Sequence, residues 1–500
     1  MATSSTNAND INNIAVQVSV HPNYDDAKYE IKKIRDCVAG SPKIKKENYL
    51  YLPHPSQVDT ESEEQRARYS EFINGAEYDD QPKDTLQTMV GKMRVNESTI
   101  KLPPKIDYMI QNSDGDGQSL QAAIEFSISN VLQTKWHLLV ADYSGLSDVD
   151  LKEVSLADAK EINPRANIKQ YKRENVVNWH FDRIDGKMQI RWIMLLETGT
   201  EFNEETYTHT AVQSYLILGL DENNDYYQKK IVYSQSGKNE GQKSYITVNS
   251  KPVKFLPIQI ISDQELDSGE LPTAVGTLHK ICEASLHKYR VSAVYKEVQR
   301  NLAPTTFTKG WQSGDLDLFT EINSGRNYIS TGAGSVNNLP NEIEYSVVSA
   351  SMEMDDFHWY FAYADKKILS MGGVAKQETG NMTATEADIN AAEQNSKLTS
   401  IADNAENAYS NALSYCLMFE GVIDQENVND YGDLINVDLP RDFATPKLSV
   451  DEVRVVIETV QMGLKTRQQA VILLNQGGWD YQDAVVTLAE LESEPPAVLT

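Results

Sequence analysis

Between Val176 and about Ile261 apolar side chains recur at every second residue, whereas on both sides of that block they recur at intervals of three and four. A period of two suits a strand covered on one face and a period near 3.6 suits a helix, so a β-domain must lie between helical segments. VVNWHFDRIDGKMQIRWIMLLET carries two runs joined at Asp185-Gly186, a strong hairpin signal. Further strands are predicted at TYTHTAVQSYLIL, DYYQKKIVY, SYITVN and VKFLPIQII, giving one small antiparallel β-domain over residues 168–262. The fold class is therefore α+β.

On the amino-terminal side, residues 1–20 are rich in Ser, Thr and Asn and read as a flexible arm. A helix is predicted over Asp25–Ala39, with Tyr29, Ile31, Ile34 and Val38 near one face and Lys32, Lys33 and Arg35 on a solvated basic face. YLYLPHP breaks the helical pattern, and short helices are predicted at Gln65–Asn74 and Lys83–Met93. Asn112, Asp114, Asp116 and Gly117 imitate the opening of a calcium loop, but the closing carboxylate should fall at residue 123, which is Ala. The stretch reads as a turn in which Ser119 caps a helix Leu120–Gln133, with calcium as the alternative; HLLVADY then reads as a buried strand.

After the β-block, Pro272 opens a helical run to Asn301 whose stripe is Val275, Leu278, Cys282, Leu286, Tyr289 and Ala293. Residues 302–350 shift to Gly, Ser, Thr and Asn, with short strands at TTFTKGW, NYIST and IEYSVVSA. A second helical run spans Met352–Met371 and stops at Gly372-Gly373. Thr383 and Glu386 form a capping box for a third run, to about Phe419, rich in Ala387, Ala391, Ala392, Ser396, Ser400, Ala402, Ala405 and Ala408. Such small residues suit close helix packing, either between subunits or in a core. Beyond Pro446 come helices from the Ser449/Glu452 box to Gly463, from Thr466 to Gly477, and near Asp480–Leu491.

Chemistry-bearing patterns are sparse. Cys37, Cys282 and Cys416 sit far apart in apolar helical patterns and read as small buried hydrophobes, without disulfide or zinc. His180 and Asp182 share a strand face with no third ligand, and His279 and His287 lie two turns apart. Asp355, Asp356 and His358 point in different directions from one helix and cannot converge on a substrate atom. Gly237, Gly241, Lys243 and Ser244 imitate a phosphate cradle, but the spacing is wrong and a polar hairpin loop explains them better. No catalytic residue, cofactor site or metal site is assigned. Mean hydropathy is -0.48 and no run approaches the roughly 20 apolar residues of a membrane span. MATSSTNANDINN has no signal-peptide pattern, so assembly in the cytoplasm is expected. With 46 Lys+Arg against 73 Asp+Glu, the net charge of -27 repels nucleic-acid phosphate.

The order of elements, with YEIKKIRDCVAGSPKIKKENYLYLPHP, SDGDGQSLQAAIEFSISNVLQTKWHLLVADYS, LHKYRVSAVYKEVQRNLAPTTFTKG and TATEADINAAEQNSKLTSIADNAENAYSNALSYCL, resembles the portal, or head-to-tail connector, proteins of tailed bacteriophages. The likeness covers about residues 25–480 and contains no catalytic signature. It implies a portal-protein fold: a wing of helices and antiparallel strands over 21–272 and 385–446, and a two-helix stem over 273–301 and 351–372. It also implies a small α/β clip over 302–350, a tunnel loop over 373–384 and a helical crown over 447–500.

By the same resemblance, twelve copies would form a ring at one capsid vertex of a virion assembled in the bacterial cytoplasm. DNA would enter during packaging and leave during ejection, passing non-specifically. Terminase, a head-to-tail adaptor, major capsid protein and scaffolding protein are the implied partners, with no membrane. Lys376, Gln377, Thr379 and Asn381 would line the channel, and Lys309, Trp311, Arg326 and Tyr328 would dock partners at the clip. The alternatives are a capsid-associated adaptor or minor structural protein without a channel, and a carboxylate- or metal-dependent hydrolase.

Overall fold

Asp185 and Gly186 both adopt positive φ, 48° and 80°, and close a tight hairpin between strands β4 (Val176–Ile184) and β5 (Lys187–Asn203). That hairpin opens a six-stranded antiparallel sheet in a computed structural model describing residues 19–53, 63–94, 98–143, 165–204, 206–234, 237–264, 269–301, 305–309, 315–323, 339, 344–348, 355–373 and 384–441. The described residues are mixed α+β, and every strand pair is antiparallel. The chain divides into two compact units, one made of 1–32, 86–277 and 387–500, the other of 33–85 and 278–386.

In the first unit, β6 (Thr208–Leu220), β7 (Tyr226–Ser234) and β8 (Gly237–Glu240) complete the sheet in the order β4-β5-β6-β7-β8, and a short strand β9 (Ser244–Tyr245) also pairs with β7. Residues 237–240 are thus an edge strand of the sheet, where a polar loop was expected. Lys243 places its Nζ 4.1 Å from the Tyr227 ring centre, an aromatic contact instead of a phosphate cradle.

The expected strand VKFLPIQII is a strand only at Ile258–Ser262 (β12), and it leaves the large sheet. It pairs with β2 (Trp136–Tyr143), which also pairs with β3 (Ala166–Tyr171), making a separate three-stranded sheet. Pro257 lacks the N–H that a ladder needs, so pairing begins only after it; its carbonyl instead accepts from Ala141 N.

Helix α5 (Leu120–Thr134) packs on β2, and Ser119 caps it by accepting from Ala122 N at 3.2 Å. Ala123, at the place of a closing calcium ligand, is buried inside this helix. The long helix α9 (Ala384–Phe419) brings Leu398, Ile401, Ala402, Ala405, Ala408, Tyr409, Ala412 and Leu413 into the same core. Tyr409 Oη meets Ser127 Oγ at 2.8 Å, tying α9 to α5. The small residues from Ala402 onward are thereby used within one chain, while Ser396 is exposed.

Residues 272–278 do not continue the expected helix upstream of His279. Arg173, buried between β3 and β4, donates Nη1 to Ala274 O at 2.5 Å and Nη2 to Thr273 O at 2.8 Å, taking carbonyls that a helix would need for its own amides. Burial lowers this guanidinium to about 10, with Glu174 opposing the shift. Gly276 fits because a Cβ there would stand 2.4 Å from Leu132 O. Val275 therefore lies outside the helical stripe.

In the second unit, α2 (Ser41–Lys46), α3 (Glu63–Gly75), α6 (His279–Asn301), α7 (Asp315–Ile322) and α8 (Asp355–Ser370) join strands β13 (Thr305–Lys309) and β14 (Glu344–Val348). The first helix, α1 (Pro22–Ala39), begins three residues before its expected start, and α4 (Gln81–Lys92) follows α3. The basic face of α1 is not wholly solvated: Lys33 is buried and its Nζ lies 3.1 Å from Glu283 Oε1, whereas Tyr29 is exposed. Helix α7 lies within residues 302–350, where the periodicity singled out only short strands. Phe319 alone of its apolar residues is buried, and Asn323 Nδ2 returns to Phe319 O at 2.9 Å. NYIST and the helices expected beyond Pro446 lie outside the described residues.

Candidate functional site

The second unit is organised around α6 and α8. Along α6, Ile281 would touch a Cβ at Gly373, Lys288 reaches Asp365, and Tyr295 meets Phe361 and Phe357. Rising numbers on α6 meet falling numbers on the second segment, so the helices run antiparallel. α6 has 23 residues, which at 1.5 Å per residue makes roughly 34 Å of rod. Its expected stripe is borne out from Cys282 onward, since Cys282, Leu286, Tyr289 and Ala293 are all buried, and Leu278, just before the helix, is buried as well.

The contact between the helices is apolar at one end and charged in the middle. Tyr295 packs against Phe357 at 5.3 Å and Phe361 at 5.7 Å, and His358 lies 5.9 Å away. His358 is thus turned toward an aromatic ring, while Asp355 and Asp356 occupy the first turn of α8, where carboxylates complement the helix dipole. The three do not form an acid/base group. His287 lies 5.4 Å from the Tyr360 ring.

At the centre, Lys288 Nζ lies 2.7 Å from Asp365 Oδ1 and 2.6 Å from Asp79 Oδ2, and Gln81 Nε2 donates to Asp365 Oδ1 at 2.7 Å. Asp365 is 2% exposed. Burial pulls the Lys288 ammonium down, but the hydrogen bonds it donates to Asp365 and Asp79, with their charges, outweigh it and hold the group above its ordinary value. Sequence inspection missed this cluster because its members come from separate segments. The available signal was an Asp on the apolar face of α8, four residues after Phe361 and three before Ile368.

A third segment clamps α6 from another side. Ser292 Oγ accepts from Glu77 N at 2.9 Å and donates to Glu77 O at 3.0 Å. Arg290 Nε donates to Tyr51 O at 2.8 Å. Cys37 and Cys282 are both buried here without a disulfide, and burial raises the Cys282 thiol, with Cys37 adding to the shift.

Beyond the far end of the pair, β13 follows α6 and β14 precedes α8, and the two strands pair from Thr305 opposite Val348 to Lys309 opposite Glu344. The chain that leaves α6 therefore comes back beside its own point of departure before entering α8. The second helix ends in a C-terminal turn as expected: Gly372 has φ 80°, and Gly373 N donates to Ile368 O at 2.9 Å.

Of the expected partner-docking residues, Lys309 ends β13, is exposed, and lies 3.6 Å from an equally exposed Glu344. Such a pair contributes little to stability. Trp311, Arg326 and Tyr328 lie outside the described residues, as do Lys376, Gln377, Thr379 and Asn381. In the β-sheet, His180 stacks near Trp192 and Asp182 pairs with Arg191 at 3.3 Å, so both are cross-strand residues as expected. Among the described residues no helix is long and apolar enough to cross a membrane.

Two solved structures align over most of the chain. One is the neck of an empty GTA particle computed with C6 symmetry, at 12% identity and a TM-score of 0.37, covering 78% of this chain and 88% of the other. The second is the neck of a native GTA particle computed with C12 symmetry, at 11% identity and a TM-score of 0.38, with the same coverage of 78% and 88%. No protein-family description and no curated protein matches the sequence.

Proposed function

We propose that this chain is the subunit of a portal ring at one capsid vertex of a phage-like particle. The ring is a passage for duplex DNA during packaging and ejection and a platform for terminase and a head-to-tail adaptor. The observation that carries this reading is the antiparallel pair α6 and α8, whose connecting excursion leaves and returns through the paired strands β13 and β14. Two helices of one subunit joined at their far end by a small closed module can serve as a stem with a clip. The ordered sequence resemblance to portal proteins supports the same assignment of 273–301 and 351–372 to the stem, 302–350 to the clip and 373–384 to the tunnel loop.

Charge supports the passage. The chain has net charge -27, and residues 385–500 alone carry 20 acidic against 6 basic side chains. A duplex with one phosphate per roughly 1.7 Å of axis gains nothing by adhering to such a wall, so it can slide. Lys376, Gln377, Thr379 and Asn381 are the loop residues assigned to guide it. ATP-driven work belongs to the terminase partner, and this chain acts without an enzymatic step of its own.

Negative-stain imaging of the purified chain tests the reading. Rings with a central hole are expected, with about twelve-fold class averages and weak duplex binding at physiological salt. A compact monomer, or tight retention of duplex, overturns it.

A further inference from the structure

Against an excess of 27 negative charges, one groove in residues 42–74 is lined by cations. Lys45, Lys46 and Arg66 border an open cavity of about 480 Å³ together with Asn48, Tyr49 and Tyr69. Lys43, Lys45 and Lys46 occupy the last turn of α2, where the helix carbonyl end favours positive charge. Tyr69 is buried and its hydroxyl donates to Leu52 O at 2.6 Å. Tyr49 lies flat on it, with ring centroids 4.3 Å apart and planes 3° from parallel, yet stays 46% exposed. One tyrosine thus fixes the other, so the outer ring presents its open face with little rotamer entropy left to lose.

Clustered cations beside an aromatic platform suit either a nucleic-acid strand or an acidic peptide. The chain's own charge separates the two. A strand long enough to bind brings phosphates beyond the groove into the field of the surrounding acidic surface, whereas a short peptide can keep its few carboxylates inside. The cavity volume also falls within the range of sites that take a few side chains. We propose that this groove binds a short acidic peptide segment of a partner protein, its carboxylates on Lys45, Lys46 and Arg66 and one apolar or aromatic side chain against Tyr49. The groove is lined by α2, α3 and residues between them, α3 packs on α6, and the proposal does not depend on the ring reading.

Fluorescence anisotropy of the full-length protein with a labelled glutamate-rich peptide carrying one Phe and one Tyr provides the test. Binding is expected, and it should weaken from 0.1 M to 1 M salt as the screening length falls from about 10 to about 3 Å. Lys46→Glu should weaken it about tenfold while thermal unfolding stays unchanged, since that side chain is at the surface; Tyr49→Ala should weaken it as much, with Tm lowered only by the lost stacking on Tyr69. The same peptide with Gln for Glu should lose most of its affinity. No binding of the acidic peptide, unaltered binding by both variants, or equally tight binding of an oligothymidylate of matching length would overturn the proposal.

Discussion

Asp365 shows how much one residue can decide. A carboxylate on the buried side of α8 would be intolerable alone, yet with Lys288, Gln81 and the nearby Asp79 it joins three segments of the second unit. Lys288→Ala should therefore cost about 3–5 kcal/mol by leaving the buried Asp365 carboxylate without a counter-charge, read as a clearly lowered Tm; the pair Lys288→Met with Asp365→Leu should recover most of it. Alkaline pH probes other buried groups. Burial raises Tyr69, Tyr226 and Tyr409 well above the ordinary 10.0 and takes Tyr289 to about 12. The unfolded chain loses these protons first, so the stability they contribute is whole below pH 10 and drains away as pH rises through the folded values. Lys288, held above 10.5, acts with the same sign: its contribution is whole below 10.5 and is lost as pH rises through its folded value. The part of the tyrosinate absorbance that comes from these buried rings should accordingly appear together with loss of near-ultraviolet circular dichroism; ionisation of every tyrosine in a still-folded protein would count against this burial.

Elements are set by local sequence and corrected by packing. α5 starts where Ser119 can cap it, and Ser119→Ala should lower stability by about 1 kcal/mol. α6 starts late because Arg173 holds the carbonyls of Thr273 and Ala274, and Gly276 admits the approach of Leu132 and Gln133. Gly276→Ala would put a methyl 2.6 Å from Gln133 O as well, so poor soluble yield or a Tm loss worth about 3 kcal/mol or more is expected. α9 uses its alanines as spacers: Ala402 and Ala405 are fully buried. Ala405→Leu should destabilise by about 1–3 kcal/mol through overpacking, measurable by thermal unfolding. The α6–α8 pair joins an aromatic end to a charged centre, and the second of these fixes the register, because a slip of one turn would separate Lys288 from Asp365.

At the scale of the whole molecule, the proposed ring would give the acidity a use. A chain that repels polyanions gains a use for that property when copies surround a passage, and the repulsion should be strongest at low ionic strength. Duplex retention by purified assemblies is therefore expected to remain negligible between low and physiological salt, checked by gel shift. On the proposed portal reading, Lys376→Glu should impair packaging and retention in particles, because that reading gives Lys376 the role of guiding DNA at the narrowest part; unchanged packaging would remove it from that role.

The amino-acid sequence by itself determined the α+β class, the hairpin at Asp185-Gly186, the cap at Ser119, the end of α9 at Phe419 and the stop at Gly372-Gly373. Each depends on period, turn chemistry or capping within a few residues, which neighbours in the chain can dictate. Tertiary structure decided that β12 leaves the large sheet for β2, that α6 begins at His279, that Lys33 turns inward to Glu283, and that Lys288 meets Asp365. Those outcomes rest on partners tens to hundreds of residues away, and a buried charge or a strand edge has no preferred partner until the fold supplies one.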